Sequence, residues 1–108
     1  MKVVNRIKKS DDFAISINKG ISYRLPSYTV FVKDTELGYT RVGISASKKL
    51  GGAVTRNRAK RQVRAICDEA IEYNARSLDI VIIIRPSFLK KEFTDNKSQI
   101  CDFMKGLK

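Results

Sequence analysis

The sequence contains no histidine and no tryptophan, and only two cysteines. Without histidine there is no serine–histidine or cysteine–histidine nucleophilic machinery and no imidazole metal ligand. Cys67 and Cys101 lie far apart and form no CxxC pair, so a zinc site is not expected. Each falls in an apolar helical pattern and reads as a core residue, and nothing calls for an oxidising compartment. Long apolar runs are also missing. The longest, Ile80 to Ile84, is far too short to cross a bilayer, and "MKVVNRIKKSDDF" lacks the apolar stretch of a signal peptide. These absences point to a soluble, cytoplasmic protein. Acids are scarce as well: 11 against 22 lysines and arginines, for a net charge of +11.

The 108 residues suit one domain, residues 1–108, with its first nine expected to form a flexible basic arm. A charge surplus of this size opposes compaction unless a polyanion neutralises it. Nucleic acid is the leading candidate for that partner, and an anionic membrane surface the second.

Along the chain, "SDDFAISINKG" predicts a helix with Ser10 as its cap, Asp11 and Asp12 in the first turn, and Gly20 just past its end. Phe13 and Ile17, four apart, share a face. "SYTVFVK", Ser27 to Lys33, predicts a strand with Pro26 at its start. After the turn "DTELG", Tyr39 to Ser47 alternates apolar Val42, Ile44 and Ala46 with small or polar residues. These two strands are expected to pair as an antiparallel hairpin. A helix from about Thr55, its cap, to Asn74 follows. The run "LDIVIIIR", Leu78 to Arg85, reads as a strand buried on both faces and stopped by Pro86. Lys91 to Leu107 predicts a last helix, with Ile100, Phe103, Met104 and Leu107 inward. The order helix, three strands, helix, strand, helix implies an α+β fold, an α/β two-layer sandwich.

The central helix is unusual. At helical spacing, Ala59, Val63, Ile66 and Ala70 make a narrow core stripe. Arg56, Asn57, Lys60, Arg61 and Arg64 cover the neighbouring arc, while Arg58 points away from both. The first turn of a helix disfavours cations, yet Arg56 and Arg58 stand there. From Leu37 to Cys67 there is no acid at all, whereas Arg41, Lys48 and Lys49 add to the positive charge. Free backbone N–H groups at the helix start, and a Gly51-Gly52 entry that lets backbone approach closely, suit an incoming phosphate. The preference for arginine favours RNA, since guanidinium forks onto phosphate and stacks on bases. Phe13 and Phe31, with Ile17 and Tyr28, are candidates to line a groove for unpaired bases, although aromatics on a strand serve a core equally well.

Three other readings are weaker. An assembly protein that binds structured RNA without serving any reaction fits the composition alone. A membrane binder needs large apolar residues opposite the charge, where this helix has alanines and a valine. A self-sufficient protein nuclease needs carboxylates beside the ridge, and none is there.

The stretch "RVGISASKKLGGAVTRNRAKRQVRA", Arg41 to Ala65, resembles the signature region of the bacterial ribonuclease P protein subunit. The matching pieces are Ser47-Lys48-Lys49-Leu50-Gly51, Arg56-Asn57-Arg58, Lys60-Arg61 and Arg64. The likeness extends to "NRIKKSDDF" and "DIVIIIRP". It implies a mixed sheet with a left-handed βαβ crossover, as in domain 2 of ribosomal protein S5, against the usual rule. It also implies a role in removing the 5′ leader of precursor tRNA, within a ribonucleoprotein whose RNA carries out catalysis with Mg²⁺. By the resemblance, Lys48, Lys49, Arg56, Asn57, Arg58, Lys60, Arg61 and Arg64 meet the catalytic RNA. Phe13, Ile17, Phe31, Asn57 and Lys60 meet the leader, with Ile17 standing where some members carry phenylalanine. The free protein is expected to be a monomer with no obligatory cofactor of its own.

Overall fold

The computed structural model describes residues 1–107. Its regular elements are α1 (Ser10–Lys19), β1 (Ile21–Arg24), β2 (Tyr28–Asp34), β3 (Arg41–Ala46), α2 (Ala53–Ala70), β4 (Leu78–Ile84) and α3 (Phe93–Gly106). Short 3₁₀ turns cover Val3–Asn5, Lys48–Leu50 and Pro86–Lys90.

The four strands form one mixed sheet in the order β1-β2-β4-β3. β4 is central because its side chains are apolar on both faces, and only an inner strand buries both. It pairs antiparallel with β2 and parallel with β3. The expected hairpin between β2 and β3 is therefore corrected: β4 inserts between them. The hairpin of the fold joins β1 to β2, with Pro26 in its turn and Leu25 and Tyr28 bonded across it. A proline that cannot donate to a ladder fits this turn better than a strand.

Tyr28, Val30 and Val32 of β2, Val42 of β3, and Ile80, Ile82 and Ile84 of β4 meet Ala59, Val63, Ile66 and Cys67 of α2 and Ile100 of α3 in one buried cluster. α1 lies on the opposite face, where Phe13 stands over Gly43. Helices thus flank both faces of the sheet, which refines the expected two-layer sandwich. Tyr28 belongs to the core and not to a groove. It is fully buried, donates to the Asn96 carbonyl at 3.1 Å and meets Phe88 edge to face; burial pushes its hydroxyl pKa up. Ser27 donates its backbone N–H to Gln99 and its hydroxyl to Asn96, and accepts from the Gln99 amide, which fixes α3 to the start of β2.

Several helix ends move from their expected places. Ser10 is the first residue of α1 and Lys9 its cap, while Gly20 closes the helix with an extended backbone, φ −77°. Glycine is required at position 20 for space, since a Cβ would stand 2.4 Å from the Ser16 carbonyl oxygen. α2 starts two residues before Thr55 and ends at Ala70, with Gly52 as its cap. α3 begins at Phe93, after the 3₁₀ turn that Pro86 opens. Within residues 1–9, expected as a flexible arm, Asn5 to Ile7 run beside β3, with Arg6 bridged to Val42. Asn5 and Ile7 are buried, Asn5 donates to the Thr40 carbonyl and Ile7 to that of Val42.

One ion cluster ties three elements together. Arg41 of β3 forks onto Asp79 of β4, with Nε–Oδ1 at 2.9 Å and Nη2–Oδ2 at 2.6 Å, and reaches Asp12 of α1 at 3.4 Å. The hydrogen bond to Asp79 raises the guanidinium pKa further above its ordinary value. The Asp79 side chain is only 6% exposed, so loss of either partner strands a charge. Asp79→Ala should cost about 3 kcal/mol, read as a lower urea midpoint, and Arg41→Met with Asp79→Leu should recover much of it. Equal midpoints for Asp79→Ala and the parent would show that the cluster does not hold α1 and the sheet together.

The cysteines differ in environment. Cys67 is fully buried, and burial first, then the nearby Asp68 charge, pushes its thiol up to about 12. Cys101 is partly exposed. A thiol reagent near neutral pH should modify Cys101 in the native protein and Cys67 only after denaturation. Simultaneous labelling of both thiols would contradict this packing.

Candidate nucleic-acid interface

The loop between β3 and α2 is built to present charge. Ser47 accepts a bond from the Lys49 backbone N–H, and Leu50 plugs into the core. Lys48 and Lys49 between them remain exposed. Gly51, at φ 134°, adopts a conformation that side chains resist, which turns the chain sharply into α2. Gly52 then caps the helix without a side chain, and no acid stands in the first turn. The first backbone N–H groups of α2 therefore keep their polarity for an outside acceptor.

Along α2 the core stripe is as expected: Ala59, Val63 and Ile66 are buried and Ala70 is half-buried. Asn57, Arg58 and Arg61 are exposed, while Arg56, Lys60 and Arg64 are half-buried along their stems. Among the described residues, no ion pair involves these cations or Lys48 and Lys49; the pairs formed are Met1–Asp68, Arg41–Asp12, Arg41–Asp79 and Lys97–Glu69. The Arg56 Nε–H is buried without an acceptor. With α2 starting at Ala53, Arg56 lies in its first turn and Arg58, expected there too, lies in the second, so the ridge is a set of positive charges without protein counter-ions along the first two-thirds of the helix. Arg41 is the exception within the acid-free window, because folding delivers Asp79 and Asp12 to it.

The opposite face of the sheet carries the second feature. Phe31, Val81 and Gly43 lie in one row across β2, β4 and β3. At ordinary strand spacing this puts about 10 Å between the Phe31 and Gly43 backbones. Phe13 stands on Gly43 so closely that a Cβ there would lie 2.5 Å from its ring. Phe13 and Phe31 are therefore brought onto one face, both half-buried. Ile17, on the same helix as Phe13, is exposed. The next row, Thr29, Ile83 and Ser45, continues this face toward the end of β3, two residues before Lys48. Cleft and ridge are consequently joined through β3.

Gly43, Val81, Ile83 and Ser45, which the sequence reading did not single out, make up this face between the two rings, with Gly43 and Val81 buried beneath them. The signal was a glycine inside a strand, which marks a close approach from another element. Removal of ridge charge should be visible with any polyanion. For an unstructured RNA oligonucleotide, Arg61→Ala should flatten the plot of log affinity against log salt by about 0.7. Parallel plots for Arg61→Ala, Arg64→Ala and the parent would remove the ridge from the interface.

Comparison with known proteins places the chain and its fold in one family. The family described as Ribonuclease P matches residues 1–108. The ribonuclease P protein component of Mesoplasma florum is 38% identical over 101 residues, covering 93% of this chain and 92% of its own. That of Mycoplasma mycoides subsp. mycoides SC is 34% identical, with both chains covered in full. Among solved structures, the Staphylococcus aureus RNase P protein superposes with a TM-score of 0.82 at 31% identity, covering 94% of this chain and 93% of that one. The protein from Thermotoga maritima gives 0.81 at 26% identity, covering 95% and 97%. With its whole length matched by the family and its fold shared with solved members, this chain belongs to the bacterial ribonuclease P proteins.

Proposed function

We infer that the chain works as the protein subunit of ribonuclease P, promoting endonucleolytic removal of the 5′ leader from precursor tRNA. The family match along the whole chain, on a molecule whose helix α2 carries five cations without an ion pair among the described residues, carries this reading. The protein is the non-catalytic partner of an RNA-based endoribonuclease, and its contribution is binding.

The ridge of Arg56, Asn57, Lys60, Arg61 and Arg64, with Arg58 on the other flank of the same helix and Lys48 and Lys49 before it, is assigned to the RNA subunit. Supporting this is the absence of protein counter-ions and the uncapped start of α2. Phosphate is the acceptor those groups fit. The face bearing Phe13, Ile17 and Phe31 is assigned to the single-stranded leader, with Asn57 and Lys60 reaching it from α2. Half-buried rings offer stacking platforms, and Ile17 adds apolar contact only. Mg²⁺ is assigned to the RNA active site of the holoenzyme, where it would supply activation of water and stabilisation of the leaving oxygen. Among the described residues no group of three or more Cys, Asp or Glu is placed to hold a metal ion. No helix among them is long and apolar enough to cross a membrane. The β3–α2–β4 connection is assigned the left-handed crossover of the S5 domain 2 type on the strength of family membership. The free chain is taken as monomeric and its site of action as the cytoplasm.

The test mixes the protein with its RNA subunit and precursor tRNA at low Mg²⁺. Stimulated release of the 5′ leader is expected, and no stimulation with an RNA active at high Mg²⁺ would refute the reading. Phe13→Ala should cost about 1–3 kcal/mol of precursor affinity while leaving mature tRNA binding unchanged. An equal loss for both RNAs would move Phe13 out of the leader site.

A further inference from the structure

The ridge occupies one flank of α2. Its other flank forms a second cleft with the start of α3, of about 240 Å³. Thr55, Arg58 and Gln62, spaced by three and four residues, line it from α2, and Leu89, Lys91 and Phe93 line it from across the gap. The floor is Ala59 and Phe88, both buried. No carboxylate lines the cleft. Leu89 and Phe93 remain 48% and 42% exposed beside Arg58 and Lys91.

We propose that this cleft holds an unpaired nucleotide of the RNA subunit, separate from the leader face and from the ridge. The proposal rests on the ribonuclease P reading above. The side chains supply each part of nucleotide recognition. Phe93 offers a ring face for stacking, with Leu89 as apolar wall. The Gln62 carboxamide both donates and accepts, as a base edge requires. Arg58 and Lys91 bracket the opening with charge for the flanking phosphates, and the Thr55 hydroxyl adds a donor. A base already paired in a helix has its faces covered by neighbours and does not fit against Phe93. The absence of acids selects a polyanion over a basic or neutral protein segment. Arg58, which stands apart from the ridge, thereby acquires a partner: α2 is gripped on both flanks.

The experiment measures affinity of the full chain for the RNA subunit across a salt series, with thermal unfolding as a control for folding. Phe93→Ala should weaken binding at least about fivefold without changing the salt slope, because stacking releases no counterion. Phe93→Trp should bind as the parent does. Gln62→Ala, on a half-exposed helix position, should weaken binding independently. Lys91→Ala should flatten the slope by about 0.7. Parent-like binding by Phe93→Ala and Gln62→Ala, with Arg61→Ala–Arg64→Ala weakened, overturns the cleft and leaves the ridge standing. If the ridge variant is also parent-like, the RNA-binding assignment of α2 falls and the cleft with it. Sedimentation in which Phe93→Ala abolishes self-association and leaves RNA affinity intact assigns the face to a second copy, and also overturns the proposal.

Discussion

β4 can be stable only with a strand on each edge and a layer on each face, because Leu78 to Ile84 carries apolar side chains on both. That requirement separates β2 from β3, which would otherwise pair as neighbours across a short turn. It brings α2 and α3 to one face and α1 to the other. The two candidate surfaces follow from this. The helix that covers the core face carries the cationic ridge, and the helix that partly covers the other face sets Phe13 against the sheet. Residue by residue, the β2–β4–β3 register then puts Phe31, Val81 and Gly43 in one row.

Electrostatics are divided with similar economy. The buried carboxylate of Asp79 and the half-exposed one of Asp12 are spent on Arg41, which locks α1 to the sheet. The ridge receives none. A cation at the start of a helix opposes the backbone dipole, and crowding more cations beside it adds repulsion. Core burial of Ala59, Val63, Ile66 and Cys67 offsets this within the free protein. The same arrangement leaves the charge available to a polyanion, with the preceding loop oriented by Leu50 and Gly51.

Much of the fold was legible. The α1, α2, β4 and α3 segments follow from periodicity and apolar runs, and the core stripe of α2 reads directly from helical spacing. Strand pairing was not legible, because β2 and β3 each look like a hairpin partner until the demand of β4 for two neighbours is imposed. The starts of α1 and α2 shifted by one to three residues where no side chain caps the helix, as at Lys9 and Gly52. Tyr28 looked available for a groove and lies in the core, since strand alternation cannot say which face of a sheet a helix will cover. Val81 and Ile83 looked like core alone and line the α1 face.

The ridge was a property of the sequence itself. Its residues are local in one helix, the acid-free window is contiguous, and the family signature overlaps both. The cleft faces were decided by tertiary structure, because their residues are distant in sequence: Phe13 meets Gly43, and Phe93 meets Gln62 and Arg58 across a shared cavity. Charge accumulates residue by residue and can be read from a string. Which charges find partners, as Arg41 does, and which rings share a surface depend on the packing of strands around β4.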